Sequence, residues 1–432
     1  MLPLFFEASF RMRAPDDKFP PTASRLLEAA EAFGTPTYVY DEAVVRARVA
    51  RLREHLKGLP LRLLYAMKAN ANPALLKIIR EEGLGVDVVS PGEMELALRI
   101  GFLPERILFS ANNMTDDEMH EAHGQGVMLN IGELSRLARF GEAYPGAEVC
   151  VRLNPAVGGG HHAHVVTGGE RSKFGIPVAD LGRVRALLRK HDLRLAGLHQ
   201  HIGSGIMSTS LIWRAVRVLL EAARSFDELS FINLGGGFGV PYRPGERPLD
   251  LENFHRAIVE PLKAFRAAHP SPDLTFLFEP GRYFVAEAGA LLTRVNTLKA
   301  ANGRLFAGTD SGMNHLIRPA IYDAYHHVVN LSNPDGPLRT YDVVGNICES
   351  GDYFARDREI AEIREGDVLA VLDVGAYGLS MASLYNLRPL PAEALLPAAP
   401  GAAPRLLRPR RSPRALIDAF LAEHTGRARA TV

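Results

Sequence analysis

Cysteine is nearly absent from this chain. Its 432 residues hold two, Cys150 and Cys348, which argues against a disulfide framework and suits a reducing cytoplasm. Net charge is nearly absent too: 50 lysines and arginines stand against 49 aspartates and glutamates. No global field therefore favours nucleic acid or an anionic membrane surface. Long apolar runs are missing, since no stretch approaches the roughly 20 residues of a membrane span. The start, MLPLFFEASFRMR, has an apolar run at Leu2–Phe6 but no basic residues ahead of it, unlike a signal peptide. The expectation is a cytoplasmic protein. Its length is that of two domains.

What is present is a rhythm. From about Arg62 to Glu279, short apolar or β-branched runs alternate with helical patterns. The runs are Leu63–Met67, Val86–Val89, Ile107–Phe109, Val127–Asn130, Val149–Leu153, Leu195–Leu198, Phe231–Leu234 and Phe276–Phe278. Helical spacing of apolar residues fills Pro73–Glu82, Gly92–Ile100, Asp116–His123, Glu133–Glu142, Val178–Lys190, Leu211–Ser225 and Leu251–Ala268. Alternation of this kind implies a parallel sheet. Eight units predict a closed, TIM-like eight-stranded β/α barrel; an open doubly wound sheet is the alternative. The last third has short strand-like runs, such as Tyr341–Val344 and Val368–Val371, between turn residues. It predicts a β-rich domain that Pro36–Tyr40 joins from the other end of the chain. The boundaries expected are 42–295 for the barrel, with 23–41 and 296–432 for the β-rich domain. Pro391–Arg414, rich in Pro, Ala and Arg, reads as an exposed connection with solvated arginines. A short amphipathic helix follows at Ala415–Glu423, and Met1–Thr22 reads as a loose extension.

Barrel chemistry sits at the C-terminal ends of the strands. Here those ends are polar or glycine-rich: Tyr65–Asn70, His199–Ser204, Gly235–Gly239 and Glu279–Arg282. Lys68 alone reads first as an ordinary snorkelling lysine. In a barrel mouth, poor solvation of its ammonium would make the amine a nucleophile. Gly235, Gly236 and Gly237 follow a strand directly, and Gly281 supplies a second turn one strand later. Such turns let backbone N–H groups close on phosphate, although tight turns use glycine without any ligand. Lysine after strand one and phosphate turns after strands seven and eight are what a phosphorylated aldehyde cofactor needs. Glu279 opposite a pyridine nitrogen would keep it protonated and favour decarboxylation over racemisation; without a cofactor it reads as an internal salt bridge. His201 reads either as a ring-stacking partner or as a hydrogen-bonded barrel histidine. His161, His162 and His164 have no cysteine or patterned acid nearby, so they read as a lid, not a metal site.

In these motifs the chain resembles the diaminopimelate decarboxylases, within the alanine-racemase-fold pyridoxal-phosphate decarboxylases. The resemblance runs from about Thr35 to Asn386. It takes in Thr167–Gly169, Ser172–Gly175, Met313–Tyr325, Cys348–Asp352 and Gly375–Asn386 besides the strand ends. It implies pyridoxal 5'-phosphate, with Lys68 as its Schiff-base lysine and His201 stacked on the ring. Ser204, Gly235–Gly237 and Gly281 would hold the phosphate, Pro280 and Arg282 would belong to the same cofactor segment, and Glu279 would face the ring nitrogen. Tyr377 would reach cofactor and substrate. Arg282, Arg318, Tyr322 and Glu349 would contact the substrate, and Cys348 would donate a proton. In this family the Cys348-Glu349 segment completes the neighbouring subunit's site, which implies a homodimer.

Ornithine, lysine and arginine carry a cationic distal end, which an arginine repels. The implied set holds Arg282 and Arg318 with one acid, Glu349, and suits a zwitterionic distal end such as that of meso-diaminopimelate. Three other readings stay open: a racemase on the same fold, a non-catalytic pyridoxal-phosphate carrier, and a decarboxylase of another carboxylated amine or carrier-tethered amino acid.

Overall fold

The structure, a computed structural model, describes residues 22–160, 167–169 and 172–425. The extension expected before Thr22 and the histidines His161, His162 and His164 lie outside the described residues. The chain divides into two units, Arg46–Val240 with Arg247–Phe284, and Pro241–Glu246 with the segments up to Val45 and from Val285.

β1 (Thr37–Asp41) belongs to the second unit. The first unit contains every predicted barrel strand: β2 (Leu61–Ala66), β3 (Gly85–Val88), β4 (Ile107–Phe109), β5 (Met128–Ile131), β6 (Glu148–Asn154), β8 (Arg194–His199), β9 (Phe231–Asn233) and β10 (Thr275–Phe278). A two-residue strand, β7 (Ile176–Pro177), adds to β6 and has no apolar run to announce it. The neighbours pair in parallel. Two pairings decide between a closed and an open sheet: β5 with β6, through Asn130↔Cys150, and β10 with β2, through Phe276↔Leu61. Both exist, so the sheet is a closed barrel and the open alternative falls. Leu64, Leu108, Cys150, Ala196, Phe231 and Leu277 form one buried cluster. Side chains alternate along a strand, so Arg152 shares the inward face of Cys150, one step nearer the C-terminal mouth.

Several helices start where a side chain satisfies the free N–H groups. Asn72 caps Pro73–Glu81, and Ser90 caps Pro91–Ile100. Thr115 and Glu118 form a reciprocal capping box at Asp116–Gly124. The single helix expected over Leu251–Ala268 is interrupted by a π-helical turn at His255–Val259.

The second unit holds β11 (Gly289–Ala301), β12 (Arg304–Thr309), β13 (Val328–Asn330), β14 (Leu338–Val344), β15 (Tyr353–Ala361), β16 (Val368–Leu372), β17 (Ala392–Leu396) and β18 (Arg405–Arg408). β1 lies between β11 and β17, so the β-rich domain is built from both chain ends as expected. The exposed connection expected at Pro391–Arg414 is corrected. β17 is buried along its whole length and runs parallel to β1. Its acid, Glu393, accepts hydrogen bonds from Tyr40 Oη at 3.0 Å and Arg408 Nε at 2.7 Å. A buried carboxylate needs such partners. Arg410 donates to the Pro36 carbonyl. Two of the arginines read as solvated are therefore structural. Among the described residues no helix is long and apolar enough to cross a membrane.

Candidate active site

β2 runs into a 3-10 turn, Met67–Ala69, that carries Lys68. The amine has a counter-ion that the sequence did not announce. Its Nζ lies 2.5 Å from Oδ2 of Asp87, which is buried on β3, while the lysine side chain remains 36% exposed. An opposite charge so near supports the ammonium. Burial pushes the Asp87 carboxyl up, and the lysine opposes that push.

Glu279 follows β10 and is buried. His199 Nε2 lies 3.0 Å from one carboxylate oxygen, and Asn233 Nδ2 donates to the other at 2.7 Å. Burial alone would raise this acid, but His199, with support from Lys68, holds it below the usual carboxylate range. It is an anion at any working pH. His201 is the opposite case: burial, reinforced by Arg152 and Lys68, holds its imidazole well below the usual range. The Gly236 N–H donates to His201 Nδ1 at 3.1 Å, which leaves the ring proton on Nε2. Arg152 lies over the Phe174 ring at 4.9 Å and adds a buried cation to the group.

The glycines have a packing reason of their own. Gly235 has φ +72°, and a Cβ there would lie 2.2 Å from the Gln200 carbonyl. A Cβ on Gly236 would lie 2.1 Å from the Glu279 carbonyl. They knit together the turns after β8, β9 and β10. Two of their N–H groups are already used, Gly235 toward Asn233 Oδ1 and Gly236 toward His201. Beside them Arg282 donates to Ser204 Oγ from Nε at 3.2 Å and from Nη2 at 3.0 Å. A hydroxyl, a guanidinium and the Gly237 turn thus gather at one place. Lys68, His201, Ser204, Gly235–Gly237 and Glu279–Arg282 all lie in the barrel unit at the strand ends.

The other predicted residues lie in the β-rich unit. Arg318 and Tyr322 occupy one helical turn, Arg318–Tyr322, with Arg318 buried. Tyr377 has φ +57°, a conformation rare outside glycine. Cys348 and Glu349 are exposed: Cys348 Sγ lies 3.4 Å from Asn386 Oδ1, and Glu349 accepts from Tyr385 Oη at 2.6 Å. Buried Asp352 takes the Met313 N–H at 2.6 Å and the Ile347 N–H at 2.7 Å, tying this loop to the segment that leads to Arg318.

A family model described as "Pyridoxal-dependent decarboxylase, pyridoxal binding domain" matches residues 42–286. The diaminopimelate decarboxylase of Methanothermobacter thermautotrophicus is 45% identical over 379 residues, 86% of this chain and 88% of that protein. The chain belongs to the diaminopimelate decarboxylase family. The Escherichia coli K12 member is 36% identical over 87% of this chain and 91% of its own length. The crystal structure of the Helicobacter pylori enzyme complexed with L-lysine superposes with TM-score 0.84 at 31% identity, covering 93% of this chain and all of that one. Members of this family are pyridoxal-dependent, and the residues here fit that cofactor: a primary amine, a neutral imidazole, a buried anion and a hydroxyl–guanidinium pair converge on one barrel mouth.

Asp87, Arg152, His199 and Asn233 had no role in the sequence reading. Asp87 and Arg152 did carry a signal, since each is a lone charge inside an apolar run that packs into a barrel. His199 opens the quoted His199–Ser204 motif and Asn233 ends its strand, but neither carried a role of its own.

Proposed function

We propose that this chain decarboxylates meso-2,6-diaminopimelate to L-lysine and carbon dioxide, the last step of lysine biosynthesis, using pyridoxal 5'-phosphate. Glu279 carries the reaction class: a buried carboxylate kept anionic by His199 and Asn233 is what a protonated pyridine nitrogen requires. When bound, the pyridoxal ring supplies the sink for the electron pair left as carbon dioxide departs. The chain's own residues do the rest. Lys68 anchors the cofactor covalently, and Asp87 receives the lysine as an ammonium when it is free. Neutral His201 offers a flat, uncharged face to the ring. Ser204, Arg282, Gly237 and Gly281 hold the phosphate, with Gly235, Gly236 and Pro280 shaping that segment. Tyr377 contacts cofactor and substrate, while Arg282 and Tyr322 position the substrate. Arg318 pairs with the distal carboxylate and Glu349 with the distal ammonium. Cys348 delivers the proton to the α-carbon once carbon dioxide has left.

The test is carbon dioxide release by purified protein from diaminopimelate, lysine, ornithine and arginine. Release from diaminopimelate alone is expected; equal release from lysine or ornithine sinks the substrate reading.

Glu279→Gln should leave the fold and cofactor in place, because an amide can still meet Asn233 and His199. Turnover should fall roughly 100-fold, the scale of losing one preorganised electrostatic partner. An unchanged kcat would remove Glu279 from the electron-sink role.

The working form is a homodimer with shared sites. Support comes from the exposure of Cys348 and Glu349 beside an exposed apolar group, Leu384 at 40%, Tyr385 at 44% and Leu387 at 50%. Mixing inactive Lys68→Ala with inactive Cys348→Ala protein should restore activity, because one site of each mixed dimer is intact. Mixed dimers verified by mass that stay inactive would place Cys348 in its own subunit's site.

A further inference from the structure

His326 lies one residue beyond the Met313–Tyr325 motif, and nothing in the sequence sets it apart from its neighbour His327. The structure does. Its ring is fully buried. Nδ1 lies 2.9 Å from the Leu372 carbonyl oxygen, and Nε2 lies 2.9 Å from Nη1 of Arg318. A carbonyl only accepts, so Nδ1 carries the proton. A guanidinium only donates, so Nε2 presents its lone pair. The two bonds therefore select one protonation state, the neutral Nδ1–H tautomer. The anchor is firm, because the Leu372 N–H donates back to the His327 carbonyl at 2.8 Å where β13 pairs with β16. Tyr242 completes the seat. Its ring meets His326 edge-on at 5.4 Å and 85°, and carries the Arg318 guanidinium at 5.1 Å.

We propose that His326 is a positioning residue for substrate selection: it accepts a hydrogen bond from Arg318 and fixes the plane of the guanidinium that reads the distal carboxylate. An imidazole suits this task better than a carboxylate. A buried carboxylate on Arg318 would neutralise the cation and compete with the substrate for it. A neutral acceptor orients the guanidinium without itself neutralising it. Fixing a recognition group before binding lowers the cost of ordering it afterwards. This inference rests on the reading of Arg318 as the distal-carboxylate partner.

The experiment is a double-mutant cycle on holoenzyme with His326→Phe, His326→Gln and Arg318→Ala. It follows kcat and KM for diaminopimelate, and the calorimetric Kd of L-lysine. Lysine formed from the meso compound keeps the distal carboxylate, so its affinity reports the same contact. His326→Phe fills the volume without an acceptor. It should lower kcat/KM roughly 10- to 100-fold, the scale of a hydrogen bond to a charged group. Most of that loss should lie in KM, with L-lysine weakened in parallel and cofactor absorbance unchanged. His326→Gln, whose amide oxygen can accept, should lose less. Neither substitution should add a loss in the Arg318→Ala background. Additive losses, or unaltered L-lysine affinity, overturn the proposal. If His326→Phe does not fold, the same cycle on His326→Gln decides. Wild-type protein that releases no carbon dioxide from diaminopimelate refutes the substrate reading itself; an active wild type with additive losses refutes only the role of His326.

Discussion

Lys68→Ala is expected to yield colourless protein with no cofactor fixed by borohydride and a kcat lowered on the order of a thousandfold or more, as for loss of an essential nucleophile. The structure makes the choice of control important. Lys68 is the ion-pair partner of Asp87, a carboxylate only 1% exposed. Deleting one partner of a buried pair destabilises the charge left behind, although the exposure of the lysine softens that effect. Lost activity in Lys68→Ala could then come from a damaged fold. Lys68→Arg separates the two causes. A guanidinium keeps a cation opposite Asp87 but stays protonated and makes a poor nucleophile. Lys68→Arg should unfold near the wild-type temperature, bind cofactor only reversibly and remain inactive. Borohydride trapping of the cofactor on another lysine, read by peptide mass mapping, would show that Lys68 is not the anchor.

The barrel was legible because its strands are short apolar runs with helices between them, and both features follow from burial. Closure was expected from the count of eight units, but counting alone did not exclude an open sheet. It depends on β5 meeting β6 and β10 meeting β2, and no apolar run encodes its neighbour. The C-terminal strand was misread for a different reason. Ala392–Leu396 sits in a segment dominated by Pro, Ala and Arg, and its buried acid makes sense only once Tyr40 and Arg408 are seen around it. In the site, residues carried by motifs could be named in advance. Those defined by a partner could not. Asp87 matters through Lys68, His199 and Asn233 through Glu279, and His326 through Arg318. Such residues become visible only when the fold supplies the distance. For Lys68, the sequence placed the lysine in a barrel mouth and could not place Asp87 beside it.

Arg318→Ala should lower kcat/KM for diaminopimelate by roughly 30- to several-thousand-fold, from the about 2–5 kcal/mol that losing one partner of a desolvated charge pair costs. Arg318 is 2% exposed, so its pairing with a carboxylate is only weakly screened by solvent. The structure holds it with a neutral imidazole and an aromatic face, His326 Nε2 and Tyr242. Arg318→Lys should recover only part of the loss, because an ammonium cannot reproduce the planar fork. Activity on lysine, which offers no distal carboxylate when its α-carbon faces the cofactor, should start negligible and fall no further. The competing account is that Arg318 is a structural cation whose removal loosens its unit. That account predicts a lower unfolding temperature, loss of the dimer and undiminished turnover per folded site. The recognition account predicts a folded, yellow, dimeric protein with a raised KM, and unfolding temperature measured beside the kinetics separates the two.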